Sequence, residues 1–398
     1  MGGAVVATSR YAGKNSWPAW RQELLLQAAL IRGPKAIDAW DRWKSSVDFE
    51  SLDHESNRLL PQLYDALRRH GISDPLMGRL KGTYRRTWFE NQLLFQTMSR
   101  HLRSLHEAGI QTMVLKGAAL VSQYYRDYGL RRMYDLDILV PSAQVAPALK
   151  VLRDAGFVPD WDTRDEAEVL ATRHGWDFKD AGGQNVDLHW RVFHDAIAPV
   201  GDVAFWEGAV PVAIHGAPSK TLNTADQLLH VCVHGATWMD ELAVHWVADA
   251  TTILRAVDGA LDWDRLLVQA RRYHYTELLR VTLTYLRDVV DAPVPSAVLR
   301  RMNQMPASCA ARIVYKAKTR PLERWGPWVA LGVRYLEHSA TLPADAGVLR
   351  RLAGFLKYFG RRWGTGSMWQ TVAGVAFRGM RRIGWVARAH VRQMVTKR

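Results

Sequence analysis

The run Asp135-Leu136-Asp137-Ile138-Leu139-Val140 constrains this chain more than any other stretch of it. Its apolar and β-branched residues predict a strand, and in a strand residues i and i+2 share a face. Asp135 and Asp137 then stand side by side at one edge of a sheet, with Leu136 and Ile138 turned into the core. Neighbouring carboxylates repel and raise each other's proton affinity. A divalent cation between them relieves that repulsion, and oxygen-only ligands select Mg²⁺ or Mn²⁺ rather than zinc. Eighteen residues upstream of Asp135 lies Leu115-Lys116-Gly117. That glycine opens a predicted helix, and a helix start binds phosphate well.

The surrounding pattern predicts an α+β chain: a small mixed sheet flanked by N-terminal and C-terminal helical regions. Residues 17–108 read as helical. Apolar residues recur at three and four spacings in Trp20, Leu24, Leu25 and Ala28, in Leu59, Leu60, Leu63 and Leu67, and from Leu80 to Leu105. Trp40 and Trp43 fall on one side of another helix. The character changes at Gly109. A strand over Ile110 to Leu115 leads to a helix over Gly117 to Tyr125, a connection over Arg126 to Arg132, and a second strand over Tyr134 to Val140. Ser142 offers an N-cap to a helix ending near Gly156. Trp176 to Lys179 and Asn185 to Trp190 flank Ala181-Gly182-Gly183-Gln184 and read as a hairpin. Helices resume near Thr224, itself a candidate cap. The expected divisions are 1–108 helical, 109–215 α/β core, 216–345 helical, and 346–398 a basic amphipathic helical tail.

A net charge of +14 suggests nucleic acid until it is located. No acidic residue follows Asp345, and residues 350–398 hold twelve Lys and Arg. Remove those twelve and the net charge falls from +14 to +2. The candidate catalytic region therefore carries no strong nucleic-acid signal. In the tail, Trp363, Trp369 and Trp385 interleave with the basic residues. That is the composition of a helix on an anionic membrane surface, or of one that binds an acidic partner. Cys232 and Cys309 are the only cysteines, too few for a disulfide framework or a thiolate zinc cluster. With no secretory leader and no apolar run approaching ~18 residues, the expected location is the cytoplasm, with the tail peripheral at the inner membrane surface.

Asp187, in Val186-Asp187-Leu188-His189-Trp190, alternates with apolar neighbours and projects to the opposite face from them. Brought beside Asp135 and Asp137 it completes a site for two metal ions, which clamp the attacking and leaving oxygens of a phosphoryl displacement. In that scheme Asp187 draws the proton from an acceptor hydroxyl. His189 shares the face of Asp187 and either orients a carboxylate, contacts substrate or is structural. Arg131 and Arg132 flank the site, to bind phosphate oxygens or to pair with Asp127 or Asp135. His230 and His234 are four apart on a helix. They form a packed pair, or one of them reaches the nucleotide or acceptor.

Leu115-Lys116-Gly117, the connection Tyr124-Tyr125-Arg126-Asp127-Tyr128-Gly129-Leu130-Arg131, the Asp135–Val140 strand and Val186–Trp190 together resemble the uncharacterised nucleotidyltransferase family of bacteria. That family belongs to the DNA polymerase beta-like superfamily. The resemblance runs from about Trp17 to Pro295 and includes the segments around His230 and Trp246-Val247-Ala248-Asp249. It implies transfer of a nucleoside monophosphate from an NTP such as ATP, with Mg²⁺ or Mn²⁺ held by Asp135, Asp137 and Asp187 and with pyrophosphate released. The acceptor it implies is a small molecule, a peptide or a glycan precursor. Ala118 stands where the superfamily has a serine or second glycine that touches the triphosphate. Lys116, Gly117 and the backbone at Ala118 would then hold the phosphates. Two rivals remain: phosphoryl transfer to a peptide or protein at the same site, and a non-catalytic nucleotide-binding or membrane-associated module.

Overall fold

The computed structural model describes residues 17–160, 173–193, 201–237, 244–305 and 346–362, with single positions 166, 169, 170, 312, 315, 316, 319, 332 and 335 between them. Most of the basic tail, and Cys309, lie outside the described residues. Among the described residues no helix is long and apolar enough to cross a membrane.

The N-terminal helices follow the three-and-four spacing of their apolar residues. They are α1 (Trp20–Leu30), α2 (Pro34–Ser46), α3 (His54–Arg69) and the long α4 (Met77–Glu107). Pro34 opens α2, where a missing N–H costs nothing. Trp40 and Trp43 share the inner face of α2 and are fully buried. Asp53 caps α3 by accepting from the Ser56 N–H at 2.9 Å.

Seven strands form one sheet in the order β3-β4-β5-β2-β1-β7-β6. They are β1 (Met113–Val114), β2 (Leu136–Leu139), β3 (Val158–Pro159), β4 (Gly175–Lys179), β5 (Asn185–His189), β6 (Val210–Ile214) and β7 (Ala217–Thr221). The sheet is mixed: β2 pairs parallel with β5 and β1 parallel with β7, and the remaining pairs are antiparallel. Between β1 and β2 run α5 (Lys116–Leu120) and a π turn over Val121–Tyr125. Helix α6 (Val145–Asp154) lies between β2 and β3. A short α7 (Val203–Glu207) precedes β6. Helices α8 (Thr224–Ala236), α9 (His245–Ala256), α10 (Trp263–Arg272), α11 (Thr276–Val290) and α12 (Ser296–Gln304) follow the sheet, and α13 (Val348–Arg362) comes last.

Three expectations are corrected. Strands β1 and β2 are shorter than the apolar runs that contain them. Ser142 caps nothing; it sits in a 3-10 turn and donates to the Trp190 carbonyl at 3.1 Å. Asn223 caps α8, accepting from the Asp226 N–H at 3.1 Å, while Thr224 accepts from the Tyr124 hydroxyl. Strands β6 and β7 form a hairpin whose turn is His215-Gly216, both at positive φ.

The two faces of the sheet feed different cores. Val114, Leu136, Ile138, Val186 and Leu188 pack with α4 and α6. Met113, Leu115 and Leu139 point the other way, into a core made jointly by α1–α3 and α8–α12. The helical regions at the two ends are thus one body. Trp17 packs against Tyr285 at 4.7 Å and Trp246 at 6.0 Å between ring centroids. The face bearing Asp137 and Asp187 is the one turned toward that body.

Candidate active site

Parallel pairing of β2 with β5 sets Asp137 opposite Asp187, and antiparallel pairing of β4 with β5 sets Asp177 opposite Asp187. Cross-strand partners point to the same side, so three carboxylates stand in one row. Asp135 precedes β2 and is exposed at the end of that row. His189, two residues beyond Asp187, returns to the same face. Its Nε2 lies 2.8 Å from Asp187 Oδ2 and 3.1 Å from Asp137 Oδ1. Gly175 makes room for this arrangement. A Cβ there would come within 3.0 Å of His189 Nδ1 and 3.2 Å of Asp187 Oδ1.

Lys116 reaches the row from the head of α5. Its Nζ lies 2.6 Å from Asp137 and 3.6 Å from Asp187. The backbone of Lys116 is left-handed, with φ of 42°, a conformation costly for a residue with a side chain. The next residue cannot be anything but glycine without rearrangement, because a Cβ on Gly117 would lie 2.6 Å from Arg131 Nη1. Ala118 is buried in the sheet core.

The charges can be followed group by group. Burial opposes ionisation of Asp137, but Lys116 and the His189 hydrogen bond hold its carboxyl below the usual range. Asp187 is likewise driven far down against its burial by His189 and Lys116. Burial works against a charge on His189, yet Asp187 and the hydrogen bonds to both carboxylates push it up to about 9. Lys116 is raised in the same way by Asp137 and Asp187. Two cations and two carboxylates therefore balance. Asp135 and Asp177 are left over, and both are raised. The charge on Asp137 is the largest cause at Asp135, which rises to about 6; burial and then Asp187 act at Asp177.

That surplus of negative charge fits a hard divalent cation. Asp137, Asp187 and His189 each offer a ligand atom within 4.8 Å of the others, and Asp135 adds a carboxylate beside them. The sequence leaves His189 as an orienting group, a substrate contact or a structural residue; its Nε2 lies between the Asp137 and Asp187 carboxylates.

Arg131 and Arg132 are not left free. Arg131 is buried and grips Asp249 of α9 through Nε at 2.8 Å and Nη2 at 3.0 Å. Neither Asp127 nor Asp135 is its partner. Arg132 pairs with Glu90 at 3.1 Å and lies over the Tyr134 ring. The rest of the connection is equally committed. Tyr125 donates to Asp249 at 2.8 Å, Asp127 accepts from Tyr84, and Gly129 lies against the Tyr84 ring. Asn91 of α4, fully buried, donates to the carbonyls of Tyr128 and Arg131 and accepts from the Met133 N–H. Sequence reasoning passed over Asn91. Its signal was a polar residue on the buried stripe of α4 that contains Phe95, Met98 and Leu102.

Helix α8 belongs to the helical body that this face of the sheet meets. Both His230 and His234 sense the charges of Lys116 and Asp137. Burial and the positive charge of Lys116 hold His230 down to about 3 and His234 well below its ordinary value.

The chain matches a family model described as uncharacterised nucleotidyltransferase over residues 54–291, more than half its length. No curated protein matches it. The solution structure of the antibiotic-resistance factor ANT(2'')-Ia is similar over 47% of this chain and 96% of that one, at 13% identity and a TM-score of 0.33. The crystal structure of an antigenic nucleotidyltransferase-like protein from Paracoccidioides brasiliensis is similar over 52% and 96%, at 15% identity and a TM-score of 0.32. The matched span takes in Lys116, the carboxylate row, His189 and the two α8 histidines, and on it the chain belongs to the uncharacterised nucleotidyltransferase family.

Proposed function

We propose that this enzyme transfers a nucleoside monophosphate from an NTP to an acceptor hydroxyl or phosphate, with Mg²⁺ or Mn²⁺, and releases pyrophosphate. The observation that carries the reading is the registered pair Asp137 and Asp187, with Asp135 beside it and Lys116 against it. A divalent cation held by Asp135, Asp137 and Asp187 would neutralise polyphosphate charge and polarise the phosphorus under attack. The remaining work falls to residues of the chain. Lys116 sets a positive charge beside the carboxylates for phosphate oxygens to meet. His189 fixes the Asp137 and Asp187 carboxylates through one N–H. The ion pair between Arg131 and Asp249 locks the connection before β2 to the helical body. Asp187, which the sequence offers as the proton acceptor, stands 2.8 Å from His189 and 3.6 Å from Lys116.

The test is the mass of the product formed from labelled ATP with a small-molecule and peptide extract. A nucleoside monophosphate adduct together with pyrophosphate is expected. Asp137→Asn should remove charge stabilisation worth several kcal/mol, a loss on the order of 10³-fold in rate, without unfolding the chain. A product bearing phosphate alone would replace this reading with phosphoryl transfer. ATP binding without pyrophosphate release would replace it with a non-catalytic module.

A further inference from the structure

Two nitrogen donors converge on the same two oxygen atoms. Lys116 Nζ lies 2.6 Å from Asp137 Oδ1 and 3.6 Å from Asp187 Oδ2. His189 Nε2 lies 3.1 Å from Asp137 Oδ1 and 2.8 Å from Asp187 Oδ2. Asp137, Asp187 and His189 are also the set that offers ligand atoms within 4.8 Å of one another. An ammonium therefore stands against one oxygen of each carboxylate in that set. The two donors differ in kind. An imidazole nitrogen can turn from hydrogen-bond donor to metal ligand, whereas an ammonium has donors alone and cannot ligate. The His189 ring is 2% exposed, belongs to β5 and packs on the His174 ring at 5.2 Å between centroids. Lys116 comes from the head of α5 with its side chain 22% exposed, on a flexible stem of four carbons. Among the described residues Asp137 and Asp187 are its only ion-pair partners. An ammonium and a doubly charged cation repel at contact distance, so Lys116 is the donor that has to leave before the cation settles.

Resting on the nucleotidyl-transfer reading, we propose that Lys116 gates the metal site: its ammonium holds one oxygen each of Asp137 and Asp187 and releases them to Mg²⁺ or Mn²⁺ when the polyphosphate of a nucleotide draws it away. No covalent bond changes in this exchange. The ammonium trades carboxylate oxygens for phosphate oxygens, and the carboxylates take the divalent ion in its place. The bare ion has to compete with Lys116 and binds weakly. A nucleotide offers Lys116 another anion and removes that competitor. Metal and nucleotide then strengthen each other's binding by the same factor, beyond the ion's own bonds to phosphate. A divalent ion that arrives alone is thus held off the carboxylate row.

The experiment uses the full chain, Mn²⁺ as the probe metal and acetic anhydride as the probe of amine reactivity. Free Mn²⁺ is read by electron paramagnetic resonance, and Lys116 acetylation by peptide mass spectrometry. Without nucleotide, Lys116→Met should bind Mn²⁺ roughly 5- to 150-fold tighter than wild type. The second arm needs no variant. In the wild-type protein saturating Mn²⁺ should raise Lys116 acetylation, and ATP added with Mn²⁺ should lower it again. Lys116→Met that binds Mn²⁺ no tighter than wild type, or acetylation indifferent to Mn²⁺, would overturn the gate while the nucleotide adduct and pyrophosphate formed by wild type keep the nucleotidyl-transfer reading standing. A wild-type protein that binds no Mn²⁺ and releases no pyrophosphate would overturn that reading and this inference with it.

Discussion

Glu55 shows how single residues of this fold are tied to distant ones. Its carboxylate accepts from the Val244 N–H at 2.6 Å and from His245 Nδ1 at 2.9 Å, with Arg58 at 3.0 Å. Burial opposes the charge, but these partners outweigh it and bring the carboxyl from 4.5 down to about 2. Burial holds His245 below its ordinary value, so at neutral pH it donates as a neutral ring. An acid whose pKa is lower folded than unfolded stabilises the fold above its unfolded value. That stability is lost as pH falls from 4.5 toward 2. The shift corresponds to about 3 kcal/mol. Urea melts at pH 7 and pH 3 should therefore show a smaller pH difference for Glu55→Gln than for wild type. Equal differences in the two proteins would deny Glu55 this role.

Among elements, the decisive join is between the connection before β2 and helix α9. Arg131, Asp249 and Tyr125 form a buried cluster, with Gln62 of α3 donating to the Tyr125 hydroxyl at 2.7 Å. Arg131→Met strands a buried carboxylate and should cost about 3–5 kcal/mol, and replacing Asp249 by leucine as well should recover much of it. Chemical denaturation of both variants checks this; a single variant as stable as wild type would refute it. No local pattern announces the pair, because its members are 118 residues apart. The carboxylate row was legible for the opposite reason. Period-two alternation around Asp137 and Asp187 puts each on the polar face of its own strand, and pairing then needs no further information. The β6–β7 hairpin escaped notice because Pro211 and Pro218 argue against strands and His215-Gly216 is not the usual Asn-Gly turn.

For the molecule as a whole, the family match begins at residue 54, but the core does not. Trp17, Leu25, Leu26, Trp40 and Trp43 all lie upstream and are buried among residues of α8, α9 and α11 or beside them. Removing one large buried aromatic costs about 3–5 kcal/mol, so losing this set exceeds the roughly 5–15 kcal/mol stability of a typical domain. A chain begun at residue 54 should lack a cooperative thermal transition and near-UV circular dichroism. A sharp transition in that truncated chain would show the N-terminal helices to be dispensable.

Strand β1 also has a partner that comes late: Met113 pairs with Lys220 and Val114 with Thr221. On the ribosome the strand leading into Lys116 must wait, one flank bare, for more than a hundred further residues to be made. The nascent chain can line up Asp137 and Asp187 well before that flank is covered, so the order of synthesis brings the carboxylates together first and seals the platform beneath Lys116 last.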